Sequence, residues 1–196
     1  MPPSVRVQPN DLVQAAIRIV RSRGIDALTA KELAKEAGCS TQPIFWHFRN
    51  MDDIRAHVTD YARGLFRQYL HAAPGPESDG RVYKAIGWNY IRFASEETQL
   101  FRMLFMSAQD ADCDLLHTDS NLPYILDVLV RDEQVERETA NRIMTEMWLF
   151  AHGIATMIAT DTARFTPAEI GSMLTDVYRG LLLHADSTNA PKGGAI

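Results

Sequence analysis

Apolar residues recur at helical spacing along nearly the whole chain, and strand-type alternation appears nowhere. Leu12, Val13, Ala16, Ile17 and Val20 form the first stripe, and Gly24 followed by Ile25 suits a left-handed cap at its end. Thr29 and Glu32 then spell a capping box, Leu33, Ala34 and Ala37 make a short apolar stripe, and Gly38 can take the positive φ that ends it. Ser40 is placed to cap a third helix with Ile44, Phe45 and Phe48 facing inward. Pro43 then falls at the third helical position, inside the first turn, where its missing N–H has no partner to lose. It also diverts the Ser40 cap to the amide of Gln42. Asn50, with Asp52 and Asp53 behind it, opens a fourth helix predicted to run to about Ala73.

The stretch Pro74 to Gly80, "PGPESDG", is the clearest break in composition. Val82 to Ala94 is apolar almost all round and predicts a buried helix, and "LFRMLFM" from Leu100 to Met106 continues the same core. A polar, acidic segment follows, then a helix through "YILDVLV", a long helix from about Arg137 to Thr160, and a last one from Thr166-Pro167 with a stripe at Ile170, Met173, Leu174, Val177, Tyr178 and Leu181. The expectation is an all-α fold of about nine helices, divided into residues 1–50 and residues 51–196, the second beginning with a linker helix.

Composition narrows the class. Of the 196 residues 46% are hydrophobic and 23% charged, as in an ordinary globular chain, and no apolar run approaches the length of a membrane span. The start lacks the apolar core of a signal peptide, so the expected address is the cytoplasm. Cys39 and Cys113 form no CxxC pattern and read as reduced thiols. The net charge of −5 is unevenly spread: residues 1–50 hold seven Lys and Arg against four acids, and the remainder holds 13 against 21. A basic head on an acidic body is the pattern of a chain whose head meets nucleic acid.

Two short helices joined by a glycine-containing turn make a helix-turn-helix. Its second helix offers Thr41, Gln42 and Trp46 opposite the inward face; Gln42 has the geometry to pair with adenine, and Thr41 to touch a thymine methyl or a phosphate. Amides at a helix start add an attraction for phosphate. A helical hairpin that never meets DNA is the plain alternative, and for Trp46 it is core packing, although Ile44, Phe45 and Phe48 already supply an inward face. His47 either contacts phosphate or ties the helix to its neighbours.

Residues 10–55 resemble the DNA-binding domain of TetR-type transcriptional regulators, through a first helix ending "RSRGID", then "LTAKELAKEAGCS", then the aromatic-x-His-Phe of "FWHF" and an acidic-capped fourth helix. "WLFAHG", Trp148 to Gly153, resembles a motif in the ligand-binding region of a subset of that family. Phe45 and Met51 depart from the family's usual tyrosine and lysine, both of which touch phosphate. The resemblance implies a homodimeric repressor of double-stranded DNA, released by a small, mostly apolar effector that shifts the fourth helix. The DNA-contacting set becomes Lys31, Ser40, Thr41, Gln42, Pro43, Trp46, His47 and Arg49, with help from the first-helix arginines.

In the body, Trp88, Phe101, Met103, Phe105, Met144, Met147 and Trp148 belong to a methionine- and aromatic-rich set, each one core-like singly and together suited to lining an effector cavity. His152 is either a satisfied core or interface histidine or a polar orienting group within that cavity. The resemblance implies a dimer interface on the last two helices, at Gly153, Ile170, Leu174, Val177, Tyr178 and Leu181, with Gly171 and Gly180 also allowing close approach. Asp110, Asp112 and Asp114 imitate a calcium loop, but Leu115 stands where its glycine belongs and Asn121 where its glutamate belongs. Cys113 and His117 beside them complete no recognisable metal set, so no metal and no cofactor are expected. With no G-x-S-x-G, H-E-x-x-H or phosphate-binding loop, an enzyme is not expected either.

Overall fold

The computed structural model describes residues 7–73, 81–107 and 121–189. Within them the chain forms α1 (Pro9–Arg23), α2 (Ala30–Glu36), α3 (Gln42–His47), α4 (Met51–Leu70), α5 (Val82–Glu96), α6 (Thr98–Phe105), α7 (Leu122–Glu133), α8 (Arg137–Ala159) and α9 (Pro167–Asn189), with a 3₁₀ turn at Ile25–Ala27. These are nine α-helices and no strand among the described residues, as the periodicity predicts. The composition break at 74–80 and the acidic segment with Asp110, Asp112, Cys113, Asp114 and His117 lie outside the described residues.

The helices gather into two compact units, one of residues 1–68 and 93–108 and one of residues 69–92 and 109–196. In the first unit α1 buries Leu12, Ala15, Ala16, Ile17, Ile19 and Val20, packing against α2, α3 and α6. Phe66, Phe93, Phe101 and Phe105 form a ring cluster with centroids 5.0–5.2 Å apart, Phe66 and Phe105 edge to face and the other pairs tilted, geometries that suit aromatic quadrupoles. In the second unit α7 packs on α8 and α8 on α9. No residue between Val82 and Ala94 is exposed, in line with the all-round apolar pattern. The polar exception there, Asn89, is satisfied because its Nδ2 donates to the Ala72 carbonyl at 3.3 Å. That carbonyl belongs to the turn after Leu70, so α4 ends three residues short of the expected boundary.

Cap chemistry explains the other boundaries. Gly38, at φ +66°, closes α2: its N–H reaches the Lys35 carbonyl and the Cys39 N–H reaches the Ala34 carbonyl, the paired bonds of a Schellman motif. Gly24 also has positive φ, +85°, but its ψ of 170° is extended, so the expected left-handed cap is replaced by a conformation that glycine alone tolerates. Thr29 caps α2 by accepting from the Glu32 amide at 3.2 Å, while the Glu32 carboxylate turns to Arg23 instead of completing the box. Ser40 does not cap α3. The helix starts one residue later, with Thr41 at the N-cap in a helical conformation and without a side-chain cap bond, and Pro43 therefore falls in the first two helical positions.

Candidate nucleic-acid interface

The turn between α2 and α3 holds α3 so that it buries one edge and exposes the other. Ile44 is fully buried and Phe48 is 4% exposed, whereas Phe45 is 48% and Trp46 70% exposed. The expected inward role of Phe45 is thus overturned. Phe48 is the C-cap of the helix, with extended backbone, φ −125° and ψ 138°, and its N–H still reaches the Ile44 carbonyl at 3.0 Å. With Ile44 it fills the inward space and leaves Phe45 outside. Lys31, Ser40, Thr41, Gln42, His47 and Arg49 are exposed too, and Pro43 is half-buried.

His47 is anchored rather than loose. Its Nε2 lies 3.1 Å from the Val7 carbonyl, an arrangement in which the imidazole N–H donates and ties α3 to the segment before α1. Behind α3, the Phe48 ring meets His57 of α4 edge-on at 5.4 Å, and Arg55 of α4 donates to the Leu28 carbonyl at 3.3 Å. Asn50 accepts from the Asp53 amide at 2.9 Å while Asp53 accepts from the Arg49 amide at 3.2 Å, fixing the corner between α3 and α4. The Arg49 amide and guanidinium hold the Asp53 carboxyl below the usual carboxylate range. Arg49 itself remains 88% exposed.

The arginines of α1 are otherwise engaged. Arg18 pairs with Glu36 at 2.8 Å, Arg23 with Glu32 at 2.7 Å, and Arg21 with Glu97. Each holds a carboxylate of the same unit while about half of its own side chain stays exposed. Lys31, Lys35 and Arg49 are the other exposed cations among the described residues up to position 50.

This constellation has relatives. Residues 12–58 match the family described as bacterial regulatory proteins, tetR family. In these residues the chain is similar to the TetR family. Over 79 residues it is 30% identical to the class A tetracycline repressor protein of transposon 1721 from Escherichia coli, a match covering 40% of this chain and 35% of that repressor. The matched stretch thus spans about a third of that relative's length. The fold of a TetR-family transcriptional regulator from Streptomyces coelicolor superposes with a TM-score of 0.66 at 15% identity, over 96% of this chain and 85% of that one. A protein of unknown function from Rhodococcus sp. RHA1 superposes with a TM-score of 0.67 at 19% identity, over 93% of this chain and all of the other. The TetR-family match lies on the helix-turn-helix, and the structural likeness extends the fold to both units.

The residues expected around an effector divide between the units. Phe101, Met103 and Phe105 sit in the first, where Phe101 and Met103 are buried core. Trp88, Met144, Met147 and Trp148 sit in the second. There the Tyr90 hydroxyl lies 2.8 Å from His152 Nδ1, and Trp148 stacks flat on the imidazole at 4.8 Å and 7°. Burial pushes the His152 pKa below its ordinary value, so the ring is neutral near pH 7. Tyr90 belongs to the same methionine- and aromatic-rich set in the sequence, although it is not among the seven effector residues singled out there.

On α9, Ile170, Leu174 and Tyr178 turn into the chain's own interior: Leu174 packs on Gly87, and Tyr178 lies 5.1 Å from the Tyr83 ring. Val177 and Leu181 are half-exposed, and Gly153 is exposed. The large apolar groups left open on α8 and α9 are Leu149, Met157 and Leu183, beside Gly153 and Gly180, whose Cα atoms face open space. Among the described residues no helix is long and apolar enough to cross a membrane, and no cluster of His, Cys, Asp and Glu could hold a metal.

Proposed function

We propose that this chain is a cytoplasmic, ligand-responsive transcriptional repressor that binds a near-palindromic operator as a homodimer. Residues 1–50 serve as the reading head and residues 51–196 as the effector and dimerisation body. The observation that carries this reading is α3 itself, which hides Ile44, exposes Gln42, Phe45 and Trp46, and sits in the helix-turn-helix that matches the family. One small head gives little specificity, so a dimer reading two half-sites about 34 to 36 Å apart supplies the rest. Leu149, Gly153, Met157, Gly180 and Leu183 are the proposed dimer face, with Val177 and Leu181 at its margin; association covers apolar groups that a lone chain leaves in water.

The effector is a small, mostly apolar molecule received by the aromatic and methionine set Trp88, Met144, Met147 and Trp148, with Tyr90 and His152 as its polar pair. Effector binding acts through α4, the continuous helix that leaves the reading head at Met51, and changes the separation of the two α3 helices. Release of DNA requires that the effector bind the DNA-incompetent arrangement more tightly. Selection of duplexes from a random pool tests the reading: the expected result is an enriched near-palindrome with half-site centres about 10 base pairs apart. A pool that never departs from random overturns it.

A further inference from the structure

Gln42, Phe45 and Trp46 stand at i, i+3 and i+4 on α3, so all three share one exposed face. Ile44 and Phe48 fill the core beneath, which leaves Phe45 with about half of its surface in water. A phenyl ring carries no hydrogen-bonding atom, so it cannot grip a phosphate oxygen or pair with a base edge. What it can recognise in a major groove is the one apolar projection there, the C5-methyl of thymine. Gln42, one turn before it, has the amide that matches the N6 and N7 of adenine. One helical turn spans about 5.4 Å and a base-pair step about 3.4 Å, so the two side chains address positions one or two steps apart.

We propose that Phe45 is a specificity-determining residue that reads a thymine methyl adjacent to the adenine read by Gln42, giving each half-site an A·T-rich centre. This inference rests on the DNA-binding reading above and goes beyond it by assigning a base and an atom to Phe45. Lys31, Lys35 and Arg49, exposed nearby, set the register on phosphates and carry no base preference. Trp46, more exposed still, bears an indole N–H and can serve a phosphate, a task closed to Phe45.

Replacing thymine by deoxyuridine deletes the methyl and leaves every hydrogen-bonding group in place. The full-length chain is bound to its selected operator and to copies in which each thymine in turn is replaced symmetrically in both half-sites. The expected result is one position at which uracil weakens wild-type binding about fifteenfold, roughly fourfold for each buried methyl. Phe45→Ala should bind the thymine and uracil operators equally, and Phe45→Leu should keep part of the preference. Both variants change an exposed side chain, and a thermal melt unchanged from wild type accompanies them. Equal wild-type affinity for thymine and uracil at every position overturns this proposal alone. A uracil penalty that survives Phe45→Ala and disappears in Trp46→Ala transfers the methyl to Trp46 and likewise overturns it. A wild-type chain that retains no duplex overturns both this proposal and the DNA-binding reading.

Discussion

Arg21, in the last turn of α1, holds Glu97 through two parallel guanidinium contacts, Nε to Oε2 at 2.8 Å and Nη2 to Oε1. Glu97 is 8% exposed and stands at the N-cap of α6, so the pair fastens the head's first helix to the start of a helix 76 positions further along the chain. Removing one partner strands a charge. Arg21→Ala should destabilise the chain by about 2 kcal/mol, less than the 3 to 5 typical of a fully buried pair because the arginine is half in water. The double variant Arg21→Met, Glu97→Leu should lose less than Arg21→Ala alone, since no charge is left behind. Urea denaturation of the wild type and the two variants decides this, and a double variant weaker than the single one contradicts it.

Ile44 and Phe45 are neighbours with opposite fates, and their substitutions should separate cleanly. Ile44→Ala removes a fully buried side chain and should cost about 2 to 5 kcal/mol. Phe45→Ala should stay within about 0.5 kcal/mol of wild type, because its ring already meets solvent. Comparable losses in the two midpoints would place Phe45 back in the core.

Much of this was legible in the chain. The nine helices of the described residues follow from apolar spacing, and Gly38 announces the Schellman turn because only a residue at ease with positive φ ends a helix in that way. The two edges of α3 were harder. Six residues hold less than two turns, so the periodicity that sorts faces elsewhere sorts Ile44 and Phe48 inward but is too short to sort Phe45 between them. The fate of the α1 arginines was hidden for a different reason: the partner of Arg21 is remote in sequence, and no local pattern announces Glu97. Ser40 and Thr41 are adjacent capping residues, and the choice between them depends on the turn that Gly38 sets.

With Arg18, Arg21 and Arg23 paired to carboxylates, the proposed reading head has three further exposed cations among the described residues, Lys31, Lys35 and Arg49. At about 0.9 per neutralised phosphate, the slope of log affinity against log salt should be about 4 to 6 in magnitude for a dimer. Fluorescence anisotropy across a salt series measures it, and a slope near ten would mean that the α1 ion pairs open to DNA.

His152 gives the second unit a pH dependence. Burial holds its pKa below the ordinary histidine value in the folded chain, so the unfolded chain binds the proton more readily. Stability from this residue is therefore complete above about pH 6.5 and is lost as pH falls through the unfolded value towards the folded one. Denaturation midpoints of wild type and His152→Gln should converge as pH is lowered from neutrality to 5. A gap that widens towards acid would show that the protonated ring is the favoured one, stabilised against Trp148.

The central claim is that α3 reads bases through the edge that bears Gln42, Phe45 and Trp46. Its most direct test is the base preference of Gln42→Ala on the selected operator, compared with wild type at every position. One position in each half-site should lose about 1 to 3 kcal/mol of discrimination while the others keep theirs. An unchanged preference profile, or a uniform fall at all positions, would contradict it.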